Sequence, residues 1–247
     1  MGDGASPGRR RAFKIIAWFM AVSAMVFGLG TAVFGLVGEG QEIHAVHNAV
    51  VAALLLVISA PPAVAAARRP DEAWTPLVHL VAVGIAGAAT MILSLHLDIF
   101  TLPFIVLVGV LLLLRVPRGG VVAPGPSGVV LAVLTLAALV PLLVYASEQA
   151  ELQRIDTTSE HAEFNHWVEM SFYAVAILLL GAIASFRPRQ FRLSAWSAGV
   201  SLAVLGGISL AYQGNPSALD APWAWAALLG GVAFVGATEW DVARSRL

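Results

Sequence analysis

The stretch FKIIAWFMAVSAMVFGLGTAVFGLV, residues 13–37, contains one charged side chain, Lys14. A helix needs about 20 apolar residues to cross the hydrocarbon core of a bilayer, so this stretch predicts a membrane span. Arg10 and Arg11 precede it. They indicate an uncleaved span with a basic anchor, because the apolar run is too long for a signal peptide. Residues 1–12 are predicted to form a disordered basic tail on the inner side.

The composition of the whole chain extends this prediction. Of its 247 residues, 59% are hydrophobic and 12% are charged, and the mean hydropathy is +0.84. A soluble domain of this length needs far more polar surface, so the composition excludes a soluble enzyme and a disordered protein. The chain has no cysteine, which excludes a disulfide scaffold and thiolate ligands. An all-α integral membrane protein is therefore predicted.

Apolar runs of suitable length predict eight transmembrane helices: 13–37, 47–67, 74–97, 99–114, 129–146, 167–186, 193–212 and 223–237. The fourth run is short and carries Pro103 near its start, which indicates a tilted helix or a half-helix. Only Asp98 separates the third run from the fourth. A very tight hairpin is therefore expected between them.

The basic residues predict the orientation. Of the 14 Lys and Arg residues, only Arg154 falls on the side opposite to the basic N-terminus. The positive-inside rule then places both termini in the cytoplasm and requires an even number of spans. The prediction is a multi-pass protein of the cell membrane that contacts the lipid bilayer. The inner basic residues are explained by topology, so binding of nucleic acid is not predicted.

The spans divide into two predicted halves, residues 13–114 and 129–240, joined by an inner linker over 115–128 and followed by an inner tail over 241–247. An offset of 122 positions aligns His44 with His166 and His47 with Glu169. Because each half has an even number of spans, a duplication would be a parallel repeat with its axis along the membrane normal. A 4+4 parallel pseudo-repeat is the prediction.

The predicted outer side is acidic and rich in histidine. It holds ten of the 15 acidic residues and five of the six histidines. The histidines are His44, His47, His96, His161 and His166, and the acidic residues are Glu39, Glu42, Asp98, Glu148, Glu151, Asp156, Glu160, Glu163, Glu169 and Asp220. Acidic residues contribute little to topology, so this bias does not follow from the orientation.

The spacing of these residues predicts a metal site. His44 and His47 share one helical face, as do His166 and Glu169, and Glu163 and His166. The pair Glu163 and His166 has the Glu-x-x-His spacing of di-iron and di-manganese carboxylate bundles. Imidazole with carboxylate favours Fe, Zn, Mn or Cu(II), and the lack of cysteine disfavours Cu(I). The predicted metal ligands are His44, His47, His96, His166 and Glu169.

Other residues are candidates for roles beside the metal. Glu163, Glu148 and Glu42 are predicted acid–base residues, and Tyr145 and Tyr212 are predicted cofactor contacts. The alternative is that these groups are solvated loop, cap or interfacial belt residues. His79 stands alone in the third span, where a packing residue hydrogen-bonded to a neighbouring helix is expected. Gly84, Gly87 and Ala88 on that span predict close helix packing.

Two families share short motifs with this chain. Eight spans in two groups of four, with Glu39 and Glu42 before the second span and His44 at its start, resemble heme A synthase. The resemblance implies heme ligands paired across helices in each half, with His44 or His47 paired to His96. The second half has His166 but no histidine in its last span.

The second resemblance is carried by His44 and His47, an apolar run, and then Pro61-Pro62. This arrangement is similar to cytochrome oxidase assembly factors of the CtaG type. It implies a protein that binds a metal or cofactor for a respiratory oxidase, with a membrane complex as partner.

Three functional hypotheses follow. The first is a metal- or heme-dependent membrane enzyme, redox or hydrolytic, that acts on a lipid-soluble substrate; it predicts an apolar cavity that opens laterally beside the ligands. The second is an assembly protein, which predicts a shallow and exposed site. The third is a metal- or proton-coupled transporter, which predicts a polar path through the spans that reaches His79.

Overall fold

A computed structural model describes residues 5–37, 41–99, 101–114, 116, 128–156 and 158–244, except for the side chains at 36, 41 and 42. Throughout these residues the regular elements are helical. The main helices are α1 (Pro7–Val37), α2 (Ala45–Arg68), α3 (Trp74–Ser94), α4 (Thr101–Leu113), α5 (Val129–Ile155), α6 (His166–Ser185), α7 (Arg192–Ala211) and α8 (Ala221–Arg244). Seven of them, all except α4, are long and apolar enough to span a membrane.

The number of full-length spans differs from the predicted eight, and α4 is the reason. This helix has 13 residues, or about 20 Å, against a hydrocarbon core of about 30 Å. The predicted tight hairpin before it is also wrong, because α3 ends at Ser94 and α4 begins at Thr101. Leu95 takes a left-handed conformation that ends α3, and the carboxylate of Asp98 accepts the backbone N–H of Thr101 at 3.0 Å to begin α4.

Helices extend beyond the predicted boundaries at both ends of the chain. The first begins at Pro7, so residues 7–12, predicted as disordered, are helical. The hydroxyl of Ser6 accepts the Arg9 N–H at 3.4 Å, and Arg10 pairs with Asp71 at 3.0 Å. At the other end α8 continues to Arg244, into the predicted tail. Hydropathy underestimates such helices because the first turns of α1 and the last turns of α8 are polar. The predicted linker lies outside the described residues, apart from 116 and 128.

Ion pairs and hydrogen bonds define the two ends of the bundle. At one end, called the basic end, three ion pairs connect neighbouring segments. They link the start of α1 to the start of α3, the start of α3 to the α6–α7 connection, and the start of α7 to the end of α8. The pairs are Arg10–Asp71 at 3.0 Å, Glu72–Arg189 at 3.9 Å and Arg192–Glu239 at 2.7 Å. The described chain therefore begins and finishes at the same end. The opposite end, called the histidine end, holds the starts of α2 and α6.

Helix α6 is the central helix of the second half. Tyr173 and Leu180 on it are fully buried, and it packs against α3, α5 and α7. The Tyr173 hydroxyl donates to the backbone oxygen of Ser201 on α7 at 2.9 Å, so its one polar group is satisfied inside the apolar bundle. This packing fixes the start of α6, which carries His166, relative to the other helices.

A proline pair distorts α2 and explains His79. Pro61 and Pro62 lack the N–H groups that would bond to the carbonyls of Val57 and Ile58 in an α-helix. The preceding turn, Leu54–Ser59, is a π-helix. The Ser197 hydroxyl donates to the Val57 oxygen at 2.8 Å. His79 Nε2 donates to the Ile58 oxygen at 2.9 Å and its Nδ1 accepts from Ser194 at 3.1 Å. His79 is thus a packing residue bonded to its neighbours, as expected.

Close approach of α7 and α8 depends on glycine. A methyl group at Gly206 would lie 2.3 Å from the backbone N of Leu228 and 2.4 Å from the backbone O of Ala224. Of the predicted packing positions on α3, Gly87 is tight, since its methyl would lie 2.4 Å from Thr101 Cγ2, whereas the nearest atom to Gly84 would be 3.8 Å away. Small residues therefore set the α7–α8 and α3–α4 contacts.

Gly206→Ala is expected to lower the free energy of unfolding by about 1–3 kcal/mol, because the backbone of α8 must move to admit the methyl group. The matched control is Gly207→Ala, where the added methyl meets only Leu228 Cδ1 at 4.0 Å and gains about 0.5–1 kcal/mol of helix propensity. Thermal unfolding in detergent, followed by circular dichroism, measures both. Equal melting temperatures for the two variants would contradict the packing argument.

His79→Ala is expected to cost about 1–3 kcal/mol, because it leaves the Ile58 carbonyl buried without a donor. His96→Ala is the control, since His96 is exposed and its loss should change stability by no more than about 0.5 kcal/mol. The same unfolding measurement applies. A stability loss no greater than that of the control would show that the Ile58 carbonyl needs no side-chain donor.

Candidate metal centre

The first contribution to the histidine end comes from the start of α2. A 3-10 turn over Gln41–His44 leads directly into the helix, so His44 and His47 lie one turn apart on one face, as predicted. Asn215 Nδ2, beyond the end of α7, donates to the Ile43 oxygen at 2.7 Å. This bond fixes the turn that carries His44 against the second half of the bundle.

The second contribution comes from the segment between α5 and α6. The side chain of Asp156 accepts the N–H groups of Thr158 at 3.2 Å and Ser159 at 3.0 Å, the Ser159 hydroxyl, and Trp167 Nε1 at 3.4 Å. Those hydrogen bonds, first that of the Ser159 hydroxyl, lower the pKa of Asp156 from 3.8 to about 2. The carboxylate therefore organises the turn before a short helix, Glu160–Glu163.

A backbone reversal then separates that short helix from α6. Asn165 has a φ of 60°, a left-handed conformation that asparagine tolerates better than most residues. Because of this break, Glu163 and His166 belong to different helices, and the predicted shared face for this pair is wrong. The break instead brings His161, on the short helix, to the same side as His166.

Three histidines converge at this point. One ring nitrogen from each of His44, His161 and His166 lies within 4.8 Å of the other two. The ring centroids are 4.5 Å apart for His44 and His161, 4.9 Å for His44 and His166, and 5.4 Å for His161 and His166. His44 and His161 are buried and His166 is half-buried. This group can hold a metal ion.

Each of the three rings has one nitrogen without a hydrogen-bond partner, and two of the rings are bonded through the other nitrogen. His44 Nδ1, His161 Nε2 and His166 Nδ1 are buried and have no hydrogen-bond partner. The opposite nitrogen of His44, Nε2, lies 3.4 Å from Glu160 Oε2, and His161 bonds to the backbone of Ile43. In metal sites the second nitrogen of a ligating histidine commonly bonds to a carboxylate or a carbonyl, while the first faces the ion.

Electrostatics favours the neutral form of His161. Burial lowers the pKa of His161, and the neighbouring His44 and His47 lower it further. A neutral imidazole is the form that binds a metal, because a protonated nitrogen has no free electron pair to donate. At neutral pH the ring can therefore act as a ligand without first losing a proton.

A histidine–carboxylate pair lies beside this group. His47 stacks on His166 with a centroid distance of 3.6 Å, its Nε2 lies 3.1 Å from Glu169 Oε2, and its Nδ1 is buried without a partner. Asp98, which is 1% exposed, interacts electrostatically with Glu169. The predicted residues His44, His47, His166 and Glu169 are thus brought together. Three residues not predicted for the site join them: Asp98, Glu160 and His161.

The other predicted site residues lie elsewhere. His96 is exposed in the α3–α4 connection, where its Nδ1 lies 3.3 Å from the Ser94 oxygen, and it is outside the group of three histidines. Glu163 is exposed at the end of the short helix. Tyr212 is exposed after α7. Glu148 and Tyr145 line a separate groove. The Glu42 side chain lies outside the described residues, as does Glu39.

Glu160 and His161 were recognisable from the sequence only as members of the outer group. His161 and His166 are five positions apart, a spacing that places them on different faces of one continuous helix. The available signal was Asn165, which indicates a possible helix break between them. Glu160, whose side chain is 70% exposed, is the carboxylate that lies beside His44. The sequence did not predict which carboxylate would pair with that histidine.

Comparisons with family models, with curated proteins and with solved structures find no match for this chain. The resemblances to heme A synthase and to cytochrome oxidase assembly factors therefore rest on the quoted motifs alone. The chemistry of the site has to be argued from its own residues.

Asp156→Ala is expected to loosen the turn that carries His161, because four hydrogen bonds to the carboxylate are lost. Amide hydrogen exchange of residues 158–163 should become several-fold faster, while that of the centre of α6 stays unchanged. In the unmodified protein, a folded-state pKa of about 2 keeps this stabilisation complete above about pH 4 and removes it as the pH falls through 2. Exchange protection of the turn that declined already between pH 7 and 5 would contradict this assignment.

Proposed function

We propose that this chain is a metal-dependent membrane enzyme in which His44, His161 and His166 bind one transition-metal ion and leave a coordination position open. Three protein ligands with an open position are typical of catalytic rather than structural zinc sites. A bound Zn²⁺ lowers the pKa of a water ligand to near 7, which supplies a nucleophile at neutral pH. The proposed reaction is therefore hydrolytic, with a lipid-soluble substrate that reaches the site from the bilayer.

The observation that carries this proposal is the set of buried ring nitrogens without partners. A buried polar atom that makes no hydrogen bond costs about 1–3 kcal/mol, and such atoms are rare in folded proteins. Each of the three histidines that can hold a metal ion has one such nitrogen. A metal ion would satisfy all three at once.

The donor set favours a bare ion over heme. Heme iron accepts at most two axial ligands from the protein, whereas three nitrogens lie within 4.8 Å of one another. The rings of His47 and His166 stack 3.6 Å apart, which leaves no planar slot for a porphyrin between them. Neutral imidazoles suit Zn, Fe or Cu(II), and Zn²⁺ is the proposed ion because it matches a three-histidine set with an open position.

His47 and Glu169 are proposed to move the proton during the reaction. They form a 3.1 Å pair whose side chains are 6% and 13% exposed, and His47 contacts the ring of His166. A histidine hydrogen-bonded to a carboxylate is a common general base. This pair replaces the predicted acid–base residue Glu163, which is exposed.

Burial of the site supports an enzyme over the alternative hypotheses. An assembly protein was expected to have a shallow and exposed site, but His44 and His161 are buried. A transporter was expected to have a polar path that reaches His79, but both nitrogens of His79 are used in bonds to Ile58 and Ser194. These contacts support a role for His79 in packing.

We also propose that the basic end faces the cytoplasm and that the metal centre lies at the outer face. Both ends of the described chain belong to the basic end, and the positive-inside rule places such an end in the cytoplasm. The chain starts α4 at the histidine end, and Leu111 near the end of α4 packs in one cluster with Phe13 and Ala73, which lie near the basic end. Helix α4 is thus the proposed eighth crossing, and the 4+4 repeat stays a prediction.

Metal analysis of the purified protein tests the proposal. We expect about one Zn²⁺ per chain by inductively coupled plasma mass spectrometry, removable by a chelator, and no Soret band in the visible spectrum. Replacing His44, His161 or His166 by Ala should weaken zinc binding by about 10²-fold or more, because each substitution removes one of three protein ligands. His96→Ala is the matched control and should keep the full zinc content.

The outcomes separate the ligand assignment from the function. Retention of stoichiometric zinc by the His44→Ala and His161→Ala double variant would show that other residues bind the ion. Absence of any transition metal after purification and after reloading with Zn²⁺, Fe²⁺ or Cu²⁺ would refute the metal centre. Circular dichroism confirms that each variant is folded before its metal content is compared.

A further inference from the structure

A second site lies on the side of the bundle. A groove runs along α5 and is bordered by α6, α7 and α8. Its volume of about 580 Å³ is in the range of small-molecule sites. It is lined from Leu134 to Leu152 of α5, which corresponds to about 27 Å of helix. Val140 and Trp223 on its lining are 66% and 55% exposed, so the groove opens laterally to the lipid. Its lining residues include no histidine.

The groove has an apolar length and a polar end. Most of the lining is aliphatic, whereas Glu148, Gln149 and Asp220 lie at the histidine end of the groove. Glu148 and Asp220 are exposed carboxylates, which give this end a negative charge. Tyr145 also lines the groove, but its hydroxyl already donates to the Ser217 oxygen at 2.8 Å.

Gln149 indicates which hydrogen-bonding groups a ligand at the polar end has to supply. Its side chain is 4% exposed, and its Oε1 is buried without a hydrogen-bond partner. The oxygen of this amide and the oxygens of the two carboxylates all accept hydrogen bonds. A ligand that satisfies them must supply N–H or O–H donors, with positive charge as an advantage.

We infer that the groove binds a single-chain amphiphile with an apolar tail and a primary ammonium headgroup, which enters from the bilayer. The tail would lie along the aliphatic wall of α5, and the ammonium would donate to Gln149 Oε1 and to the carboxylates of Glu148 and Asp220. A quaternary ammonium has the charge but no N–H donor, and a phosphate-bearing headgroup would be repelled by the two carboxylates. The inference does not depend on the metal centre.

Native mass spectrometry of the full chain, released from a neutral detergent, tests this inference with dodecylamine, dodecyltrimethylammonium, dodecanol and dodecyl phosphate as probes. One molecule of dodecylamine is expected to bind per chain, about tenfold or more tighter than the other three probes, because only the ammonium combines positive charge with N–H donors. The Glu148→Gln and Asp220→Asn double variant should remove this preference while leaving dodecanol binding unchanged. Gln149→Leu should weaken the amine selectively.

Three controls sharpen the test. Glu151→Gln removes a carboxylate on α5 that does not line the groove, and should leave amine binding unchanged. Ala226→Trp places a large ring in the groove at an exposed position, and should abolish binding of every probe. The His44→Ala and His161→Ala variant should bind the amine normally, since the groove contains no histidine.

Several outcomes would overturn the inference. Amine binding no tighter than dodecanol binding, or an unchanged preference in the double variant, would show that the acidic end does not recognise an ammonium group. Full binding to Ala226→Trp would place the ligand outside the groove. Binding of many molecules per chain without saturation would indicate an adventitious additive only. A failure of zinc binding leaves all of these results interpretable, because the two sites share no residue.

Discussion

Every polar group inside an apolar bundle has to find its partner within the protein, because lipid supplies none. The distorted turn of α2 illustrates this constraint. Pro61 and Pro62 remove two backbone donors, and side chains from α3 and α7 replace them. The two carbonyls that lose their helical partners thereby form the hydrogen bonds that hold α2 against α3 and α7. His79 serves this role because its ring nitrogen reaches the Ile58 carbonyl, which has lost its backbone N–H donor to Pro62.

Exceptions to that constraint are concentrated at the histidine end, where His44, His47, His161 and His166 each have a buried nitrogen without a partner. This concentration is what identifies the site. The same α2 that satisfies its carbonyls in the middle of the bundle begins with rings whose inner nitrogens are buried and unbonded. Of the three candidate ligands, His44 is also bonded to the carboxylate of Glu160, and His161 to the backbone of Ile43. An arrangement that orients a ring through one nitrogen and leaves the other buried and unbonded is costly without a metal ion and appropriate for a metal ligand. The lateral groove likewise contains one buried amide oxygen without a partner, that of Gln149.

The fold was largely predictable and the site was predictable in part. Seven of the eight apolar runs are helices of membrane-spanning length. Helical spacing predicted that His44 shares a face with His47 and His166 with Glu169, and all four were predicted as ligands from their place on the outer side. Three expectations failed for local reasons. The polar start of α1 and the polar end of α8 hid the full extent of these helices. A left-handed Leu95 separated α3 from α4, and a left-handed Asn165 moved Glu163 away from His166.

The sequence by itself determined that most of the helices are apolar enough and long enough to span a membrane, because hydropathy and proline position act locally along the chain. It also marked one side as rich in histidine. Which ring nitrogens remain without partners was decided only by the tertiary structure. His44 and His161 are more than a hundred residues apart, and their convergence depends on the packing of α2 against α6 and on one backbone reversal at Asn165. No local pattern encodes the distance between such segments, so the metal centre emerges only when the helices are assembled.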